Sequence, residues 1–570
     1  MPFSFFQKSL SWIAKQQTNI LSAAFVLMAT ALFSQLLGLL RQRLLVANFG
    51  ASDTLGVYLA SSKLPDFFFQ LIIAGALATA FIPVFSNFLS KDKRENANKM
   101  ASSVLTIGIL VFGLVSILLF IFAPFFLSFI NLGSGYTSDQ MKLMANLMRV
   151  IIIGQMIFLV AAFFAAILQS YQRFIVVGIA AALYNLGIIF GILLLTDRLG
   201  IYAPAVGVIF GATLFAVFQI PLILKLGFSF RPSLSLDAPG VKEVLKLMGP
   251  RALSILILQL GTLITLALIS FLPSAGRSYV IYDYALTLAF SPVVLFGQSI
   301  AQAALPVLSR EKDHLDKFRS TFTASYIQML YLILPVSVLF LVLRIPIVRL
   351  IFGAAAFDWM ATVLTGRTLA FFALSIFATA LIYLVTRAFF ALQDTKTPLI
   401  LGTISTSVMI TMSAIFVLVW RNNLIDYALN YSGRFRVIRV GVESLSYPYS
   451  VAAILNLVLL LFFLNRRIKI FSYEFWISQA KIFLSVIFMG FALYIPIKLL
   501  DQLVFDTTRT INLILLTGIS SLFGFAIYFF LTWLLDVKEA STFLLMFKKV
   551  SGRKEIIGES EKIIDPKISQ

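Results

Sequence analysis

Arg387-Ala-Phe-Phe-Ala-Leu-Gln-Asp-Thr-Lys-Thr-Pro398 closes one apolar run and opens the next. A carboxylate, an ammonium and a proline between two stretches rich in Leu, Ile, Val and Phe suit a helix–loop–helix corner at a water interface. Charges are tolerable there, and Pro398 fits a first helical turn, where its missing N–H costs nothing. The corner has an echo. Ala165-Ala-Ile-Leu-Gln-Ser-Tyr-Gln-Arg-Phe174 places Leu168-Gln169 224 positions before Leu392-Gln393, again between apolar runs. Phe81-Ile-Pro-Val-Phe-Ser86 and Ala304-Leu-Pro-Val-Leu-Ser309 lie 223 apart. Two echoes at nearly one offset predict a duplicated unit.

The 570 residues are 60% hydrophobic and 12% charged, with mean hydropathy +0.96. No soluble fold has a core large enough to hide that much apolar side chain, so the chain reads as an all-α polytopic membrane protein. Its net charge of +20 is spread over short loops between apolar runs. That pattern marks a cytoplasmic face beside anionic lipid rather than a nucleic-acid surface. With no cysteine, thiolate metal sites, disulfides and thiol nucleophiles are excluded. The single histidine, His314, sits in a charged loop. Neither a cofactor nor a metal site is expected, and no nucleotide-binding loop or nucleophile–base pairing suggests an enzyme.

A hydrocarbon core of about 30 Å needs about 20 apolar residues per helix, which gives about fourteen spans. Residues 1–19 carry Lys8 and Lys15 among Phe3, Phe5, Phe6 and Trp12, as an interfacial amphipathic segment would. Spans one to six fall in 20–225 and spans seven to twelve in 247–470. A linker at 226–246 bears Pro232 and Pro239, two further spans occupy 471–537, and 538–570 is a basic tail. Six is an even number, so the two six-helix repeats run parallel. Lys and Arg cluster at the even-numbered junctions, for example Lys91, Lys93, Arg94, Arg310, Lys312, Arg466 and Arg467. Both termini are therefore predicted cytoplasmic. The 421–447 junction holds Arg434, Arg436 and Arg439, although the alternation places it outside.

Polar groups inside spans are the informative ones, because charge at bilayer depth is costly and usually faces a cavity. The first span reads Gln35-Leu-Leu-Gly-Leu-Leu-Arg41-Gln-Arg43. Guanidinium forks suit pyrophosphate and carboxylate, and Arg43 is also close enough to the span's end to snorkel to the surface. Lys63-Leu-Pro65-Asp66 offers an internal Lys63–Asp66 pair beside a proline that frees backbone carbonyls. Asp283, between Tyr282 and Tyr284, is either interfacial or a coupling site, as is Asp66. Arg387, Asp394 and Lys396 mark a structural helix end.

Arg387–Pro398, the two proline turns, Gly50-Ala51-Ser52 and Lys63-Leu64-Pro65 together resemble the MurJ (MviN) family of lipid II flippases, within the multidrug/oligosaccharidyl-lipid/polysaccharide exporter superfamily. The resemblance covers roughly 20–470. It implies alternating access in the bacterial plasma membrane, with undecaprenyl-pyrophosphate-linked peptidoglycan precursor (lipid II) bound in a cationic cavity. The partners implied are that glycolipid, membrane lipid and envelope-synthesis enzymes. Direct carry-over reaches Arg41 and Lys63. The family's earlier first-span arginine falls at Gln35, and its span-eight arginine falls near Thr287. The substrate-binding set read here is thus Arg41, Gln35, Arg43, Lys63 and Thr287. Two other readings remain open on the residues. One is a MATE-like exporter of organic ions, or of another polyprenyl glycolipid, using Asp66 and Asp283. The other is a non-transporting envelope scaffold.

Overall fold

The computed structural model describes residues 20–74, 80–354, 356–421, 441–503 and 509–540. The 1–19 segment, most of the 421–447 junction and most of the tail lie outside the described residues. The described residues form helices, turns and extended connections, with no strand. In chain order the helices are α1 Ile20–Phe49, α2 Asp53–Phe69, α3 Ile82–Ser90, α4 Arg94–Ile121, α5 Ala123–Ile130, α6 Ser138–Ser170 and α7 Phe174–Leu199. They continue as α8 Tyr202–Lys225, α9 Val241–Ile269, α10 Ala275–Pro292, α11 Ser299–Glu311, α12 Leu315–Val342 and α13 Arg344–Phe352. The last are α14 Trp359–Ala373, α15 Ile376–Ala391, α16 Lys396–Arg421, α17 Ser446–Ile468, α18 Tyr473–Leu503 and α19 Thr510–Leu534.

Among the described residues ten segments are long and apolar enough to cross a membrane, or eleven when α14 and α15, bent by 41°, count as one. The expectation of about fourteen spans is consistent with this all-helical chain, and the length-and-hydropathy count among the described residues is lower because some apolar stretches are broken into shorter helices. The chain is a multi-pass membrane protein.

The duplication is visible in the backbone. Pro65 removes a hydrogen bond from α2, and a π-helical turn follows at Gln70–Ala74. Pro292 ends α10, and a π-helical turn follows at Val293–Gln298, displaced by 223 or 224 positions. Proline weakens a helix by breaking its i→i−4 ladder, and in both copies a π-helical turn follows the proline within a few residues. At the corners the structure corrects the register of the echo. Helix α15 ends with Gln393 at φ 61° and Asp394 N–H donating to Phe389 O at 2.9 Å. Helix α6 ends with Gln172 at φ 59° and Arg173 N–H donating to Leu168 O at 2.8 Å. Gln172 therefore matches Gln393, a spacing of 221. Leu168-Gln169 pairs by letters only, since the left-handed residue that closes the helix sets the equivalence.

Contacts divide the chain into two compact units. The first contains residues up to Leu286 with Ile351–Thr368 and Thr403–Tyr449. Its helices α7 and α8 meet through Gly187 and Gly191 against Gly211 and Gly207, where a methyl group would overlap the facing backbone. In lipid, small residues at i and i+4 are what let two helices approach this closely. Phe81, Phe85, Phe112 and Leu168 are buried in a core built from α2, α3, α4 and α6.

The second unit contains Thr287–Leu350, Leu369–Gly402 and the chain from Ser450 onward. Here Tyr528 of α19 donates to Tyr331 O of α12 at 2.8 Å, and the Tyr331 hydroxyl lies 3.3 Å from Thr532 Oγ1. The Arg387–Pro398 corner also belongs to this unit. Asp394 Oδ1 accepts from the N–H of Lys396 and of Thr397 at 3.0 Å, Oδ2 accepts from Thr397 Oγ1 at 2.6 Å, and Arg467 pairs with Oδ2. Arg467 also lies over the Phe389 ring at 5.8 Å. Asp394 thus caps α16 and ties α17 to the end of α15. Burial raises its pKa, but the Thr397 and Lys396 hydrogen bonds and the Arg467 charge outweigh that, and the carboxyl is held below the usual range. Its contribution is complete above the ordinary carboxylate pKa of about 4 and is lost as pH falls through the lower folded value. Asp394→Ala should cost about 1–2 kcal/mol at neutral pH, the worth of a helix cap. Melting the two proteins side by side in detergent checks this, and the gap should close in acid.

Candidate functional site

The site is set by where α1 stops. Gly50 ends α1 at φ 64°, and a Cβ there would sit 2.5 Å from Ala356 O, so this turn needs glycine. Ser52 then caps α2, its Oγ accepting from Leu55 N–H at 3.2 Å. The next residue, Asp53, caps a different helix: its Oδ1 accepts from Arg277 N–H at 2.8 Å, in the first turn of α10. A carboxylate at a helix N-terminus meets unsatisfied N–H groups and the positive end of the dipole. The backbones of α2 and α10 touch at Gly56 and Gly276, where a side chain on either would collide with the other.

This close contact fixes what comes next. Seven residues on, two helical turns along the same face, Gly56 leads to Lys63 and Gly276 leads to Asp283. Lys63 Nζ and Asp283 Oδ1 lie 3.1 Å apart, with side chains 24% and 17% exposed. The Tyr279 ring, one turn earlier on α10, lies 5.7 Å from Nζ. The expected Lys63–Asp66 pair does not form. Lys63 turns to Asp283, and Asp66 instead accepts a hydrogen bond from Gln155 Nε2 of α6. The other amide atom, Gln155 Oε1, is buried with no hydrogen-bond partner among the described residues.

Arg41 lies half-buried on α1 and makes no hydrogen bond or ion pair among the described residues. Its charge reaches Asp66 and the hydroxyls of Tyr58, Tyr184 and Tyr284. Arg43 is set apart from it. Its guanidinium donates to Ile351 O at 3.1 Å and Gly353 O at 3.4 Å, holding the end of α13. These two bonds anchor a helix end. Gln35 is half-buried six residues before Arg41. Thr287 is half-buried four residues past Asp283 and falls in the second unit. The structure therefore gathers Arg41, Lys63, Asp66 and Asp283 in one unit, with Tyr58, Tyr184, Tyr279 and Gln155 around them. Those four neighbours carry no sequence signal beyond being polar within a span.

At the end where α2 and α10 begin, Arg277 Nη2 donates to both carboxylate oxygens of Asp358, at 2.8 and 2.9 Å. Together with Gly50, Ser52, Asp53 and Ser274 they line a pocket of about 330 Å³. Burial raises the Asp358 pKa, but its bonds to Arg277 and to Ala361 N–H prevail and hold the carboxyl low.

Chemically, Arg41 is a guanidinium among hydroxyls, while Lys63–Asp283 is a net-neutral pair that an incoming anion can reopen. Residues 45–514 match the family described as lipid II flippase MurJ. The chain belongs to the MurJ family. A probable lipid II flippase MurJ from Bdellovibrio bacteriovorus is 25% identical over 540 residues, covering 93% of this chain and 98% of that protein. A solved lipid II flippase MurJ in an inward closed conformation superposes with TM-score 0.70 at 23% identity, over 89% of this chain and 99% of that one. An inward-facing MATE-family multidrug transporter of the MOP superfamily superposes with TM-score 0.61 at 14% identity, over 78% and 98%. Both structures share the fold, and the family match separates MurJ from MATE. The MurJ resemblance carried Arg41 and Lys63 over from sequence, and both stand in the constellation described above.

Proposed function

We propose that this protein moves lipid II from the inner to the outer leaflet of the bacterial plasma membrane by alternating access. Its two six-helix lobes would comprise residues 20–225 and 247–470, and both termini would be cytoplasmic. Family membership supports the substrate class, an undecaprenyl-pyrophosphate-linked glycolipid. The observation that carries the reading is Arg41: a guanidinium on a span, half-buried, with no counter-ion bonded to it among the described residues. A cation left so at membrane depth is costly unless an anion visits it, and a pyrophosphate is such an anion. Lys63 adds a second cation once Asp283 releases it, while Asp66 and Asp283 serve coupling or gating. Arg387, Asp394 and Lys396 act on structure alone.

Complementation tests this. In a bacterium depleted of its own flippase, the wild-type chain should restore lipid II to the outer surface and prevent lysis. Arg41→Ala should not, and Arg41→Lys should restore only part, because ammonium keeps the charge and loses the fork. Losing one charge-assisted contact is worth about 1.5–3 kcal/mol, roughly a 10- to 100-fold loss of affinity. Wild-type rescue by a folded Arg41→Ala protein would remove the basis of the reading.

A further inference from the structure

The connection between α8 and α9 alternates along its length: Phe228-Ser-Phe230-Arg-Pro-Ser-Leu234-Ser-Leu236. In the structure it is extended and lies along α4. Three polar side chains at i, i+4 and i+8 on that helix form a ladder for its backbone. Asn98 Nδ2 donates to Gly227 O at 3.0 Å, and Ser102 Oγ accepts from Arg231 N–H at 3.2 Å. Thr106 Oγ1 accepts from Ser233 N–H at 3.3 Å. Climbing from Asn98 to Thr106 carries the segment about 12 Å along α4, toward the middle of the span. The chain then comes back: Gly240, at φ 83°, sits against Phe88, Val84 and Met100, and Val241 is fully buried. The segment is therefore a dip with its apex at 234–236.

The apex carries Leu234 and Leu236, which are 63% and 52% exposed. It follows directly on the Ser233–Thr106 contact, one turn of α4 before Leu110, Val111 and Leu114, which are exposed on that helix. Leucines exposed to water on a loop tip gain nothing, whereas at that depth the medium beside α4 is lipid. Basic residues stand at the mouth of the dip, with Lys91, Lys93, Arg231 and Lys246 making no ion pair among the described residues. Irregular backbone is barred from the hydrocarbon core but not from the interface, where its free groups reach water.

We infer that residues 228–236 form an interfacial membrane anchor, with Leu234 and Leu236 inserted among the lipids of the leaflet where the even-numbered spans end. The occupant of this apolar tip is the bilayer itself, continuous with the lipid that covers α4, and anionic headgroups match the basic mouth.

The absence of cysteine in the chain gives a clean background for the test. Nitroxide labels would be placed singly at Leu234→Cys, Leu236→Cys, Leu114→Cys and Asp237→Cys in the full chain, reconstituted in anionic vesicles. Collision with oxygen reports lipid, and collision with a water-soluble nickel chelate reports water. The oxygen-to-nickel ratio at 234 and 236 should fall between the Leu114 and Asp237 values. Adding Thr106→Val, which removes the deepest rung of the ladder, should shift both labels toward the Asp237 value. A ratio at 234 and 236 equal to that at 237 places the tip in water and overturns the inference. Suppression of both collisions there means protein covers the tip, and also overturns it. No response to Thr106→Val would overturn the ladder as the cause of insertion.

Discussion

Lys63→Met and Asp283→Asn should each abolish transport, while the double variant should regain stability and stay inactive. Each single change leaves an uncompensated charge between two packed helices. For a buried pair that costs about 3–5 kcal/mol, and partial exposure of this one puts it near the lower end. Removing both charges deletes the penalty, so melting in detergent should return to within about 1 kcal/mol of wild type. Transport should not return, because a methionine cannot meet a pyrophosphate. If the double variant rescues a flippase-depleted bacterium as well as wild type does, the pair is scaffold, and Arg41 alone would then carry the headgroup. The charge-swapped protein, Lys63→Asp with Asp283→Lys, sharpens the choice by keeping the pair and moving the cation to α10.

Gly191→Leu should unfold the first half of the chain. Its Cβ would meet the backbone of Gly207 and the Ala203 carbonyl, so nothing flexible can move aside. Overpacking of side chains costs about 1–3 kcal/mol, and here the cost should exceed that range because α7 and α8 would have to separate along their length. Gly518→Leu is the matched control, because a Cβ at Gly518 on α19 meets nothing within 4 Å. Replacing that helical glycine should leave the protein unchanged or stabilise it by up to about 1 kcal/mol. Thermal melts of the three proteins in one detergent decide the matter. Equal melting of Gly191→Leu and wild type would mean that α7 and α8 do not depend on this contact.

The Arg41–Lys63–Asp66–Asp283 constellation was only half legible in the sequence, for a local reason. Lys63 and Asp66 stand three apart on a helix, a spacing at which opposite charges can pair, so nothing nearby argued against that partnership. The partner actually taken lies 220 residues away. Asp66 was available to Gln155 only because α6 packs on α2. Arg43 was ambiguous for the same reason: the carbonyls it binds belong to the end of α13. Arg41 was recognised from its place in a span, since a guanidinium in an apolar run is conspicuous in one dimension.

What the sequence determined by itself was everything written in runs and punctuation. Hydropathy and span length decide membrane residence, because lipid selects helices of about 20 apolar residues wherever they fall. The corner at Arg387–Pro398 and its distant echo announce a duplication, because turn chemistry is local. What only the tertiary structure decided was which faces meet. The Gly56–Gly276 contact brings α2 and α10 into register, and two turns later that register chooses Asp283 for Lys63. It also moved the echo from Gln169 to Gln172, since helix equivalence rests on the residue that adopts a left-handed φ. A pattern of letters does not specify that backbone angle until the helix before it has packed.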